Sequence, residues 1–159
     1  MQVKRTMFMN LHFASGNLSI KADMKCSKRS HCPIAFALDI FGDRWSLLVL
    51  RDLLFKDKRR FSEFMSSEEG ISTNILSQRL GRLEGEGLIT KSRDKTNRRQ
   101  FIYAPTQKSF DLLPAILEIS NWSAKYDPKT AAPPAVMRRI RNDRDGFIRE
   151  IVARFSKAG

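Results

Sequence analysis

Gly70-Ile71-Ser72-Thr73-Asn74-Ile75-Leu76-Ser77-Gln78-Arg79-Leu80-Gly81-Arg82-Leu83-Glu84-Gly85-Glu86-Gly87-Leu88-Ile89-Thr90-Lys91 decides the reading of this chain. It runs on through a basic turn, Asp94-Lys95-Thr96-Asn97-Arg98-Arg99, into Phe101-Ile102-Tyr103. Ser72 is a good helix N-cap and Gly87 a good stop. At about 100° per residue, Leu76, Leu80 and Leu83 share one stripe. Asn74, Ser77, Gln78 and Gly81 fall on the opposite one, flanked by Thr73 and Arg82. A solvated face usually carries long charged pairs. Short donors and acceptors suit a helix whose backbone must approach base edges in a major groove. The helix leads into two strands, 88–92 and 100–104, joined by the basic turn. A helix followed by an arginine-tipped hairpin is the order of a winged helix-turn-helix.

The flanks agree with a mainly α fold carrying one small β-hairpin wing. Pro33 opens a helix that Gly42 ends, with Ile34, Ala37, Leu38 and Phe41 at helical spacing. Asp43 can cap the next helix, whose inward residues are Trp45, Leu48, Val49 and Leu53. Phe61, Phe64 and Met65 fit one face of a short third helix. After the wing, Pro105 closes the second strand, and Thr106 can cap a long helix that Pro114 bends. The apolar residues of that helix cover about half its circumference, more than one core face requires. Ile116, Leu117, Ile119 and Trp122 are the candidate dimer contacts. Asp127 to Pro134 reads as a linker. The stripe Phe147, Ile148, Ile151, Val152, Phe155 then marks a basic amphipathic helix, suited to the body of the fold, a partner or DNA. The division is an irregular basic extension 1–31, a winged domain 32–127 and a C-terminal segment 128–159.

The 159 residues carry a formal charge of +12 and 42% hydrophobic residues, enough for a core and a call for an anionic partner. No apolar run approaches the roughly 20 residues of a membrane span. Residues 7–14 make a poor signal peptide, since Asn10 and His12 interrupt them, and Met24 is an alternative start. Cys26 and Cys32 lie too close to staple a domain usefully. A cytoplasmic protein with reduced thiols is expected. Catalytic motifs are absent: there is no phosphate loop, Gly-x-Ser-x-Gly or His-Glu-x-x-His. No cofactor is called for, and Cys26, His31 and Cys32 lack a fourth zinc ligand at standard spacing.

Several blocks occur in order: Cys32-Pro33, Ala37-Leu38-Asp39, Gly42-Asp43-Arg44-Trp45, Leu50-Arg51-Asp52-Leu53, Arg60-Phe61-Ser62-Glu63, Gly70-Ile71-Ser72, Leu76-Ser77-Gln78-Arg79-Leu80 and Leu83-Glu84 with Gly87-Leu88. Over about residues 32–126 the chain resembles the HxlR-type winged-helix transcription regulators, a branch of the MarR-like group. The resemblance implies a homodimer joined through terminal helices on a palindromic operator in bacterial DNA. It implies that the helix from Ser72 to Glu86 enters the major groove. It also implies that Cys32 stands where some relatives carry a redox or electrophile sensor. The wing departs from the pattern, reading Thr96-Asn97-Arg98-Arg99 where prolines are frequent.

The expected partners are double-stranded DNA, a second copy and a small-molecule or oxidant effector. Thr73, Asn74, Ser77 and Gln78 are the base-reading candidates. Arg79 and Arg82 can reach guanine or phosphate, and Arg79 can equally serve as a structural ion-pair partner. Lys95, Arg98 and Arg99 are the wing candidates for backbone or minor groove. Lys58, Arg59 and Arg60 are candidates for phosphate contact. Cys32 follows Lys28, Arg29 and His31 and precedes a helix start, a setting that favours a reactive thiolate; its bland alternative is a small apolar residue. Two rival functions remain at this point: a sequence-tolerant nucleic-acid binder and a winged-helix protein-interaction adaptor.

Overall fold

The computed structural model describes residues 31–156. The N-terminal extension to residue 30 lies outside them. With it go His12, the alternative start Met24, Cys26, Lys28 and Arg29.

Pro33 sits in the first turn of α1 (Pro33–Phe41), where its missing N–H is harmless. Only Ile40 of α1 is fully buried. Of the residues at helical spacing, Ile34 and Leu38 are 69% and 60% exposed, while Phe41 packs against the core. Periodicity reports that a face is apolar, not which body covers it. Asp43 caps α2 (Ser46–Lys56): its Oδ1 accepts from the backbone N–H of Trp45 at 2.8 Å and of Ser46 at 3.0 Å. Val49, Leu50, Leu53 and Leu54 of α2 form the centre of the core. Leu48 is only half-buried.

The short α3 (Phe61–Met65) buries Phe64 and is started by Glu63, whose Oε2 accepts from the N–H groups of Arg59 and Arg60 at 2.6 and 2.8 Å. Next comes α4 (Thr73–Gly85), burying Leu76, Leu80 and Leu83 against α2 and α3. Gly87, at φ +70°, ends it, and the Leu88 N–H donates back to the Leu83 carbonyl at 2.9 Å. That closure needs a left-handed residue, which glycine supplies without a Cβ clash.

Strands β1 (Ile89–Arg93) and β2 (Phe101–Pro105) form an antiparallel hairpin in which Ile89 faces Pro105 and Arg93 faces Phe101. Both strands start one residue later than the sequence pattern implies. A single bridge from Arg60 to Ile102 adds a rudimentary third strand.

The long helix divides into α5 (Gln107–Asp111) and α6 (Leu113–Tyr126), with Pro114 in the first turn of α6. Thr106 makes no side-chain cap; its hydroxyl donates to the carbonyls of Gly87 at 2.7 Å and Leu88 at 3.0 Å, tying the wing base to the end of α4. After the 127–133 connection, α7 (Pro134–Asn142) and α8 (Arg144–Ser156) fold back onto the body. Ile151 is 1% exposed, Phe147 stacks on Phe55 at 6.5 Å, and Phe155 packs against Phe110 at 5.7 Å. Packing on the body is the outcome for the C-terminal stripe. The described residues thus make a mainly helical winged helix-turn-helix, and none of their helices is long and apolar enough to cross a membrane.

Candidate nucleic-acid interface

Three fixings hold α4 so that its polar side faces outward. Leu76, Leu80 and Leu83 seat its inner stripe. Ser72 receives the Ile75 N–H at 3.5 Å. Arg79 reaches back to Asp43, with Nη1 donating to Oδ2 at 3.0 Å. Asp43 already caps α2, so one carboxylate joins α2 to the reading helix α4. Its own burial would raise the Asp43 carboxyl; the Ser46 hydroxyl and the Trp45 and Ser46 amides outweigh that and hold it below the usual range.

Thr73, Asn74, Ser77 and Gln78 are all exposed on one side of α4. Gln78 Oε1 accepts from Arg79 Nη2 at 3.1 Å, which orients the amide along the helix edge. Arg79 itself is removed from the outward set, because its side chain is 16% exposed and its guanidinium is engaged with Asp43. Arg82 is exposed, and its Nη2 donates to the Asp39 carbonyl of α1. It occupies the flank rather than the reading edge.

The basic block before α3, expected at phosphate, is engaged in contacts within the fold, with Lys58 and Arg59 half-buried and the Arg60 side chain 39% exposed. Lys58 Nζ donates to Ser67 Oγ at 2.7 Å and to Asp52 Oδ2 at 3.3 Å. Arg59 lies over the Phe155 ring at 4.9 Å and donates to Asp57 at 2.9 Å. Arg60 donates from Nε and Nη2 to Asp94 Oδ2 at 3.0 and 2.8 Å. These residues stitch the motif together.

Asp94 is the residue that sequence reasoning missed. It is 2% exposed, and its Oδ1 accepts from Thr96 N and Oγ1 at 2.8 and 2.7 Å and from Asn97 N at 3.4 Å. The Thr96 hydroxyl, the Thr96 amide and Arg60 hold its carboxyl far below the ordinary range. The signal was there: an Asp two residues before Thr at a hairpin tip is a side-chain turn. Anchored by Asp94, the tip exposes Lys95, Arg98 and Arg99. Arg93 lies over Phe101 at 4.3 Å and donates to the Arg98 carbonyl at 3.0 Å, stiffening the loop.

The expected dimer residues divide. Ile116 and Leu117 are 7% and 1% exposed and belong to the core of the protomer, so they are withdrawn. Ile119, Trp122 and Tyr126 are 50%, 65% and 62% exposed on α6. Cys32 is exposed at the N-cap of α1. Among the described residues no group of three or more His, Cys, Asp or Glu could hold a metal ion.

With this geometry in place, comparison with known proteins is specific. The model of the HxlR-like helix-turn-helix family matches residues 40–131. The HTH-type transcriptional regulator Mb3122 of Mycobacterium bovis, itself uncharacterised, is 33% identical over 102 residues; the match covers 64% of this chain and 63% of Mb3122. The chain therefore spans less than two thirds of that relative's length. The crystal structure of PA1607, a candidate transcription factor, superposes with a TM-score of 0.60 at 33% identity, covering 67% of this chain and 74% of PA1607. The redox regulator HypR in its oxidised form gives 0.53 at 25% identity, covering 59% and 96%. The relatives carry the names of transcription regulators.

Proposed function

Since the chain belongs to the HxlR-like helix-turn-helix family of DNA-binding transcription regulators, we propose that it acts as a homodimer on a palindromic operator. The observation that carries this reading is the α4 face of Thr73, Asn74, Ser77 and Gln78, exposed and free of carboxylates. Asn and Gln pair bidentately with adenine, each good pair giving about 1–3 kcal/mol of discrimination. Arg98, Arg99 and Lys95 at the wing tip follow the flanking backbone or narrow minor groove. Ile119 and Trp122, exposed on α6, supply the apolar face for a two-fold partner. Half-sites then lie about one helical turn apart, roughly 34–36 Å.

Relatives include a redox regulator, which supports Cys32 as the point where an oxidant alters operator affinity. It lies at the start of α1, whose Ile34 and Leu38 are exposed apolar residues open to a second copy. Two globally distinct states with different operator affinity are what that regulation requires.

Selection of binding sites from random DNA, with and without a thiol oxidant, tests the reading. A two-fold symmetric consensus is expected. Asn74→Ala with Gln78→Ala should lose about tenfold or more in discrimination while keeping nonspecific affinity at low salt. No consensus, with a steep salt dependence, would instead support the sequence-tolerant binder. No DNA affinity at all would support the adaptor. Cys32→Ser should abolish the oxidant effect and leave the consensus unchanged.

A further inference from the structure

A cavity of about 830 Å³ lies between α2 and α6 on one side and α7 and α8 on the other. Phe55, Leu117, Met137, Ile140, Phe147 and Ile151 form its apolar walls. Its size falls within the range of about 300–1,000 Å³ usual for small-molecule sites. Its charged lining is Arg51, Lys56, Arg154 and Glu150, three cations against one carboxylate. Arg51 is committed to Asp52 and Glu69, and Glu150 to Arg139 at 2.5 Å. Arg154 gives Nη2 to the Leu54 carbonyl at 2.9 Å. Lys56 makes a long 3.8 Å contact with Asp52, acts on Glu69 through space and is 44% exposed, so its ammonium can turn to an incoming anion.

We propose that this cavity binds a small amphipathic anion: an aromatic or acyl body with one carboxylate or sulfonate, the body among the apolar walls and the anion at Lys56 and Arg154. Most of the enclosure comes from Pro133 onward, beyond the 40–131 span shared with the family. The ligand chemistry is therefore particular to this chain's C-terminal helices. Phe55 lies on the same helix as Asp52, which braces the turn before α4, and Leu117 on the helix that carries Trp122. Occupancy consequently pushes on both the reading helix and the dimer face. Ligand capture depends on the cavity alone; its effect on DNA depends on the regulator reading above.

The test titrates the full chain with 8-anilino-1-naphthalenesulfonate, an aromatic anion whose emission rises on burial. One saturable site per chain is expected. Ile140→Trp fills the cavity and should weaken binding at least about tenfold. Lys56→Glu, on the exposed rim, should weaken it comparably while lowering the thermal unfolding temperature modestly, because the new carboxylate also faces Asp52. The uncharged N-phenyl-1-naphthylamine should respond to Ile140→Trp and be indifferent to Lys56→Glu. Affinity unchanged in both variants overturns the proposal. So does dye binding that falls with protein concentration, which makes a second copy the occupant, or that emerges only after removal of residues 1–30, which assigns the cavity to that segment. An absent operator consensus would refute the regulator reading and leave the titration intact, so the two failures are separable.

Discussion

Replacing Asp52 by Asn removes the charge that holds the turn before the reading helix. The Asp52 carboxylate is 2% exposed and accepts from the Ser67 hydroxyl, from Arg51 Nε and Nη2 at 2.9 and 2.6 Å, and from Lys58 Nζ at 3.3 Å. Hydrogen bonds to charged groups contribute about 1.5–3 kcal/mol each, and breaking a buried pair costs about 3–5 kcal/mol. Two features reduce that figure. Arg51 keeps Glu69 at 2.5 and 3.0 Å, and Lys58 keeps Ser67 at 2.7 Å. Their side chains are also 28% and 17% exposed, so water compensates in part. Asp52→Asn should therefore lose about 2–3 kcal/mol in urea unfolding at pH 7. Glu69→Gln, on the more exposed partner, should lose no more than about 1 kcal/mol.

Acid gives an independent measure. Burial alone would raise the Asp52 carboxyl; the bonds from Ser67 and Arg51 outweigh it and hold it below the ordinary range. The Arg51 bond brings Glu69 down to about 2. Both folded-state values lie under the unfolded values near about 4. Their stabilisation is thus fully present above roughly pH 5 and is lost as pH falls from about 4 toward about 2. The parent should lose stability through that window, and Asp52→Asn should lose less. A variant within about 0.5 kcal/mol of the parent at pH 7, with the same acid slope, would refute the assignment of Asp52 as the brace.

Trp122→Glu should convert a dimer to a monomer in sedimentation with little change in unfolding. Leu117→Ala should instead cost about 2–5 kcal/mol of stability at unchanged oligomeric state. Arg98→Ala and Arg99→Ala should each reduce the slope of log affinity against log salt by about 1. Arg60→Ala should leave that slope alone and speed amide exchange at Thr96 and Asn97, because Arg60 holds Asp94 rather than phosphate. Gly87→Ala should cost about 1–2 kcal/mol through backbone strain at φ +70°, since an added methyl meets nothing within 4 Å.

The parts of the fold that are local in sequence were legible. Pro33, Ser72 and Gly87 mark helix ends because each satisfies or terminates its own turn. The alternation between Leu76, Leu80, Leu83 and Asn74, Ser77, Gln78 fixes which side of α4 faces out. What could not be read depends on distant partners. Arg60 looks like a phosphate ligand until Asp94, 34 residues later, closes on it. Arg59 looks the same until Phe155 arrives beneath it. The half-apolar α6 announces two buried faces without saying which one the protomer keeps: α7 and α8 take Leu117 and leave Trp122 outside. Ile34 and Leu38 show the same limit, since an exposed apolar stripe has the period of one that faces the core.

The return of α8 onto α2 has a consequence during synthesis. Arg154 bonds the Leu54 carbonyl across 100 residues of chain, and Phe147 and Phe155 cover Phe55 and Phe110. Translation delivers the helix-wing unit well before its lid of aromatic rings. A chain ending near residue 130 leaves Phe55 and Phe110 uncovered, and they attract holdase chaperones or one another. Closure of so long a loop comes late and slowly. Ribosomes stalled at successive lengths should carry a protease-sensitive body that hardens only once Phe155 has cleared the exit tunnel.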